Sequence, residues 1–342
     1  MPHLLSNRAI TSSPVSLITT SEARMLGVSL APSTMRRIRR GVYVRRADFD
    51  HLPPWTKYAV RVHAFARLHP DAILCLESAA VPHGLPGFGE TADIHVFDPE
   101  RLHSRRFGDV FVHANHEPRE VLRIDGVLVT GILETVIDLS RVLPPARALA
   151  VTDSAISPAQ GGPLSLDELR EAAEAQRNRR GRNRSRWVWD HAEGQSESPG
   201  ESISRAVIAW SGFEAPELQR VFRYDGFTDR VDFYFPRNRA IGESDGWGKY
   251  ALEDLDEGAR ILREEKRREE RLRRNQHPCA RWDLAGAQNV DPLVKALESA
   301  GVQRVSAAQP EMLATLKDRA REKPQPRQLD AAPSRAHATR SA

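Results

Sequence analysis

"RVDFYFPRNRAIGESDGWGKY", residues 230–250, is the stretch on which the reading of the fold turns. It holds two strand-like runs around a turn, and the second run ends in Glu-Ser-Asp-Gly. Side chains two apart on a strand share a face. Glu243 and Asp245 therefore point the same way. In the first run, Val231, Phe233 and Phe235 take one face, and Asp232 and Tyr234 take the other. Two adjacent strands are expected to deliver three carboxylates to one place. The plain alternative is a hairpin with a polar exit, because Ser-Asp-Gly is good turn chemistry.

The flanking sequence extends the pattern. Upstream, "SPGESISRAVIAWSGF" opens a helix with a Ser-Pro start signal. Glu201 lies in its first turn, and Ile203, Val207 and Trp210 mark its apolar face. Asp225-Gly226 is a hairpin dipeptide between two strands. Downstream, "GARILREEKRREERLRRN" reads as a charged helix with Ile261, Leu262 and Leu272 as sparse apolar contacts. "CARWDLAGA" reads as a fourth strand ending near Trp282.

Helix, three-stranded meander, helix, strand resembles the core of PD-(D/E)xK nucleases. Glu201, "VDF", "ExDG", "KY", "EKRREERLR" and "RW", in that order over residues 198–286, resemble the Vsr-like (very-short-patch-repair-like) branch. The resemblance implies metal-assisted phosphodiester hydrolysis with Mg2+ or Mn2+, since hard cations take oxygen ligands. It implies Asp232, Glu243 and Asp245 as metal ligands. Glu201 would hydrogen-bond a metal-bound water or reach a second metal. Lys249 and Lys266 would stabilise charge on the phosphate. The chain departs from the simple pattern at two points. Asp245 stands where the lysine of the (D/E)xK element falls, a substitution this branch shares. Gly248-Lys249 stands where many members carry a histidine.

At the other end, "LITTSEARMLGVSLAPSTMRRIRRGVYVRR" (residues 17–46) reads as a capped helix, a turn, a second helix "STMRRIRR", and a strand "GVYVRR". That is the plan of a winged helix-turn-helix, with Arg36, Arg37, Arg39 and Arg40 expected at phosphates or base edges. "TTSEARMLGV", "STMRRIRRG" and "GVYV" resemble the N-terminal domain of AbiEi-type antitoxins and similar bacterial regulators. "ESAAVPHGLP … VTGILETVIDL" resembles their second domain. The resemblance implies DNA as a partner, and a cognate toxin as another. The other reading of the basic segment is a small subdomain packed on its neighbour.

The expected fold class is multidomain α/β. A frayed N-terminus (1–16) precedes the winged helix (17–50) and a mixed α/β domain (51–160). A helical Arg-rich connector (161–197) contains Arg180 and Arg182, expected near DNA. The nuclease-like domain (198–290), a helical segment (291–316) and a disordered tail (317–342) complete the chain. His83, His95, His103, His113 and His116 lack metal-ligand spacing and read as hydrogen-bonding residues.

The 342 residues are 40% apolar and 28% charged, which suits folded domains. Net charge is +4, yet basic residues cluster at 35–46, 177–186 and 260–274, as suits a polyanion partner. Cys75 and Cys279 form no zinc or disulfide motif. No apolar run is long enough to span a membrane, and no signal peptide is apparent, so a cytoplasmic location is expected. Three functions compete: a metal-dependent DNA endonuclease, a non-catalytic regulator or antitoxin with a nuclease-like fold, and an RNA-processing nuclease.

Overall fold

The computed structural model describes residues 4–115, 117–245 and 255–323. His116 and Lys249 lie outside the described residues, as do the side chains of Ile261 and Leu262.

The N-terminal segment is anchored rather than frayed from residue 4 onward. A short helix α1 (Leu5–Arg8) buries Leu5, and Arg8 hydrogen-bonds Ser154 and Gln160. The next strand, β1 (Ile18–Thr19), leads into helix α2 (Thr20–Met25). Thr19 and Glu22 close a capping box there, satisfying the first free N–H groups.

The second helix of the expected winged helix-turn-helix is not formed. Residues Met35–Arg39 are a strand, β2, antiparallel to β3 (Val42–Arg45). Arg and Met favour helix intrinsically, so tertiary context overrides local propensity here. Gly41, at φ +82°, makes the turn. Val42 and Val44 are then both buried, and Val44 packs into a small core with Phe49 and Val60. Phe49 belongs to helix α3 (Arg46–Phe49), and Val60 to helix α4 (Pro54–Leu68).

The middle of the chain follows its reading more closely. Its six-stranded sheet is ordered β6-β7-β5-β4-β9-β8. The strands are β4 (Ile73–Leu74), β5 (Ile94–Asp98), β6 (Arg105–Phe107), β7 (Val110–Ala114), β8 (Val121–Ile124) and β9 (Val127–Thr130). Helix α5 (Leu76–His83) crosses between β4 and β5, and α6 (Ile132–Val142) and α7 (Pro145–Ile156) follow β9. The connector is ordered as α8 (Leu166–Ala175) and α9 (Arg182–His191) around Gly181. Ser165 and Glu168 form a capping box at the start of α8.

Helix α10 (Pro199–Trp210) opens the C-terminal unit. A four-stranded sheet follows: β10 (Glu217–Tyr224), β11 (Phe227–Phe235), β12 (Ala240–Asp245) and β13 (Cys279–Asp283), paired in that order. The first three form an antiparallel meander, whereas β13 runs parallel to β12, after helix α11 (Leu255–Arg274). Helices α12 (Leu284–Gln288), α13 (Asp291–Ser299) and α14 (Pro310–Ala314) complete it.

One face of β11 departs from simple alternation. Phe233 and Phe235 enter the main core. Val231 instead packs with Ile241 and Leu272 in a separate cluster under α11. The ladder to β10 skips the Gln219–Asp232 pair, and Gln219 sits at φ +52°. The strand thus changes face at Asp232.

The main core is continuous across the expected boundary at 160–198. It runs from α6 and α7 through Val188 and Trp189 of α9 to Ile203, Val207 and Trp210 of α10, and on to Phe233 and Trp282. A buried ion pair, Asp153–Arg205 at 2.7 Å, joins α7 to α10. Residues 317–323, expected as the start of a disordered tail, are packed instead. Arg321 pairs with Glu77, Glu322 with Arg147, and Lys323 with Glu90, and Ala92 N–H donates to the Arg321 carbonyl. Partners this distant in sequence leave no local signal.

Candidate functional site

The site is built where α10 meets β11 and β12. Ser198 caps α10, its hydroxyl accepting from Glu201 N–H and donating to Glu201 Oε1 at 2.8 Å. Glu201 Oε2 accepts from Glu197 N–H at 2.9 Å and from Gln219 Nε2 at 3.0 Å. A capping residue's usual role thus fixes a buried carboxylate facing the sheet. Asp232 leaves β11 at the point where the strand changes face. Its Oδ2 accepts the Ser244 N–H of β12 at 2.9 Å. Phe233 pairs with Gly242, so one step along the two strands Asp232 lies beside Glu243.

These carboxylates influence one another. Burial, then the Asp232 charge, pushes Glu201 up to about 7. Burial and Asp232 likewise push Glu243 up to about 7, against the opposing pull of Arg268. A helix and two adjacent strands therefore converge three acids, and two of these are held near neutral pH in their protonation. Strongly perturbed buried acids of this kind are characteristic of functional sites, though structural ion pairs also produce them.

The fourth expected acid stands apart. Asp245 is half-buried, and Arg281 Nε lies 4.0 Å from it. Lys266 is exposed on α11, and no contact joins it to the acids among the described residues. Sequence reasoning missed the cation that does reach Glu243, Arg268, two residues further along α11. Arg268 Nη2 lies 3.0 Å from Glu243 Oε1 and 3.0 Å from Glu265 Oε1, and Nη1 donates to the Arg230 carbonyl at 2.9 Å. Arg281, opposite Glu243 in the parallel register, also pairs with Glu265. Glu265 accordingly falls to about 2: burial works to raise it, but the hydrogen bonds and charges of Arg268 and Arg281 prevail.

Asp232 and Glu243 supply hard oxygen donors, and Glu243 Oε1 is buried without a hydrogen bond despite its ion pair. That chemistry fits Mg2+ or Mn2+. Among the described residues, however, no group of three or more His, Cys, Asp or Glu stands close enough to hold a metal as arranged. Arg268 stands beside the acids instead.

The basic front divides into held and available arginines. Arg36 pairs with Asp50 at 2.7 Å, and Arg39 makes a two-point pair with Asp109 at 2.8 and 3.0 Å. Arg182 donates to the carbonyls of Glu174 and Gln176, closing the end of α8. These three are structural anchors here. Arg37, Arg40 and Arg180 are exposed and lack a carboxylate partner among the described residues. The hairpin continues into the middle sheet through Asp109. Two residues from it, exposed Phe107 lies under the guanidinium groups of Arg101 and Arg105. The alternation Arg105-Arg106-Phe107 was the available signal for this edge.

Of His83, His95, His103, His113 and His116, three are hydrogen-bonded among the described residues, and His83 Nε2 lies 2.8 Å from the Thr130 carbonyl. His95 Nδ1 and His113 Nε2 are 2.9 Å apart, and His95 Nε2 lies 3.4 Å from Glu77. Burial pushes His95 down to about 4, so it is neutral at physiological pH.

The fold and site thus define a multidomain α/β protein with a cluster of buried acids in its C-terminal unit. Two uncharacterized proteins of Mycobacterium tuberculosis, from strains CDC 1551 and ATCC 25618, are each 33% identical to it over 173 residues. The match takes in 50% of this chain and 62% of each relative, so the chain spans less than two thirds of their length. No family model and no solved structure matches. Among the described residues, no helix is long and apolar enough to cross a membrane.

Proposed function

We propose that this is a DNA-binding protein whose C-terminal unit is a Vsr-like PD-(D/E)xK endonuclease, behind an AbiEi-like front. The observation that carries the reading is the convergence of Glu201, Asp232 and Glu243 from α10, β11 and β12, with Glu201 and Glu243 held near neutral protonation. The strand order, with a parallel β13 beside β12, supports it. The front binds DNA through the β2–β3 hairpin rather than a recognition helix, as β-ribbons can enter the major groove. Arg37, Arg40 and Arg180 take phosphates.

Asp232 and Glu243 would hold the divalent cation, which when bound supplies Lewis acidity and lowers the pKa of water. Glu201 accepts the proton released as water adds to phosphorus and the bond to the leaving oxygen breaks. A base titrating near 7 suits that role. Ser198, Glu197 N–H and Gln219 fix its orientation.

Purified protein with Mg2+ or Mn2+ should nick supercoiled plasmid. Asp232→Ala and Glu243→Ala should abolish nicking while DNA binding persists. Wild-type protein that binds DNA but never nicks it would overturn catalysis. One observation favours a second reading, a non-catalytic regulator or antitoxin: among the described residues the acids form no metal-holding group, and Arg268 pairs with Glu243.

A further inference from the structure

Resting on the DNA-binding reading above, and independent of the acids of the C-terminal unit, we propose that the front of the protein carries a place for single-stranded DNA. The hollow between the β2–β3 hairpin and the β6–β7 turn takes the backbone of an unpaired strand, and Phe107 stacks one of its bases.

Strand register puts the pieces on one side of the middle sheet. Ile94 and Val96 of β5 pack in one cluster with Tyr58, Val62 and Phe65 of α4, and Val110 and Val112 of β7 pack against it. Directly paired residues share a face, and β6 sets Phe107 opposite Val110 and Arg105 opposite Val112. Both therefore stand on the face that α4 covers. The hairpin lies against the same helix. Arg39 sits over the Phe65 ring, 5.1 Å from its centroid, and holds Asp109 just before β7. Between hairpin and turn is an open cavity of about 550 Å³, lined by Arg37, Ile38, Arg39, Arg40 and Asp109. Phe107 is one glycine away from Asp109 in the chain.

The charge of this cavity favours an anion. Its one acidic lining residue, Asp109, is already held by Arg39 and by Arg61 at 3.1 Å, which leaves Arg37 and Arg40 for phosphates. A duplex can meet those two arginines as well. Phe107 is what selects an unpaired strand. It is 43% exposed on the edge strand of its sheet. The guanidinium carbons of Arg101 and Arg105 lie 5.3 and 5.1 Å from its ring centroid. Bases stack on guanidinium planes as well as on aromatic rings. Within a duplex the faces of a base are already stacked on its neighbours, so none can reach this platform without being pulled out. A single strand offers its bases at no such cost. Backbone cations beside an aromatic platform are what sequence-tolerant binding of single strands requires.

The test is fluorescence anisotropy on the full chain in EDTA, with a labelled oligothymidine strand and a labelled duplex as probes. Wild type is compared with Phe107→Ala, Phe107→Leu, Phe107→Tyr and Arg40→Ala. Phe107→Ala and Phe107→Leu should each weaken binding of the single strand about tenfold and leave binding of the duplex unchanged. Phe107→Tyr should stay near wild type for both probes, because the ring is kept. Arg40→Ala should weaken both. Single-strand binding that survives Phe107→Ala, or that leucine preserves as well as tyrosine does, would overturn the platform. So would an equal loss for both probes in a folded Phe107→Ala variant, with circular dichroism reporting the fold. Wild type that binds the duplex but not the single strand would overturn this proposal and leave the DNA-binding reading standing. Binding of neither probe would overturn both.

Discussion

Glu201→Gln offers a test of the site's electrostatics that needs neither metal nor nucleic acid. The carboxylate is nine-tenths buried, and its folded-state pKa is about 7 against a usual 4.5. An acid whose pKa is raised by folding favours the folded state only while protonated. Its contribution is fully present below about pH 4.5 and is lost as pH rises through about 7. One pKa unit is worth about 1.4 kcal/mol. Allowing for the charge shared with Asp232, the loss above pH 7 is roughly 2 kcal/mol. Glutamine removes that loss without breaking the hydrogen bonds. Its carbonyl can replace Oε2 as acceptor for Glu197 N–H and Gln219, and its amide can donate to Ser198 Oγ, which is free to reverse its role. Urea unfolding in EDTA should show Glu201→Gln more stable than wild type by roughly 2 kcal/mol at pH 8. The gain should shrink below about 1 kcal/mol at pH 5. A variant no more stable at pH 8, or equally stabilised at both pH values, would refute the claim that Glu201 is strained by burial and by its acidic neighbour.

Three further outcomes are expected. Arg205→Ala leaves Asp153 buried without its partner, and should destabilise the protein by about 3–5 kcal/mol in denaturant unfolding. Gly242→Ala would place a methyl group 2.7 Å from the Trp282 ring and 3.1 Å from Phe233 Cβ. Thermal unfolding should report a loss of about 1–3 kcal/mol from overpacking. Arg37→Ala and Arg40→Ala should each reduce the salt dependence of duplex DNA binding by about 0.9 in the log–log slope, read by fluorescence anisotropy. Arg39→Ala should instead lower stability, because its guanidinium holds Asp109.

What could be read in the sequence was chemistry that is local in the chain. Asp225-Gly226 makes its turn with both residues at positive φ, and Ser198 and Ser165 cap the helices they precede. Alternation in β12 put Glu243 on the face opposite Gly242. The basic segment Met35–Arg39 was misread as a helix because Met and Arg favour helix locally, and burial of Val42 and Val44 on the partner strand overrode that preference. The alternation of β11 was followed one residue too far, because the change of face at Asp232 depends on Gln219 of the neighbouring strand.

The cation of the site was illegible for a different reason. Helix α11 presents Glu264, Glu265, Lys266, Arg267, Arg268, Glu269, Glu270 and Arg271 in succession, so the sequence offers a charge on every face. Which of them meets the acids depends on how β13 is laid beside β12. The pairing of Glu243 with Arg281 sets Arg281 against Glu265, and the helical step from Glu265 to Arg268 then brings Arg268 to Glu243. A motif reader looks for the lysine a family supplies and finds Lys266, which faces solvent. The parallel register selects Arg268 instead, so the counter-charge of this site is a property of topology. Mutating Arg281 should therefore disturb Arg268 as surely as mutating Glu265 would.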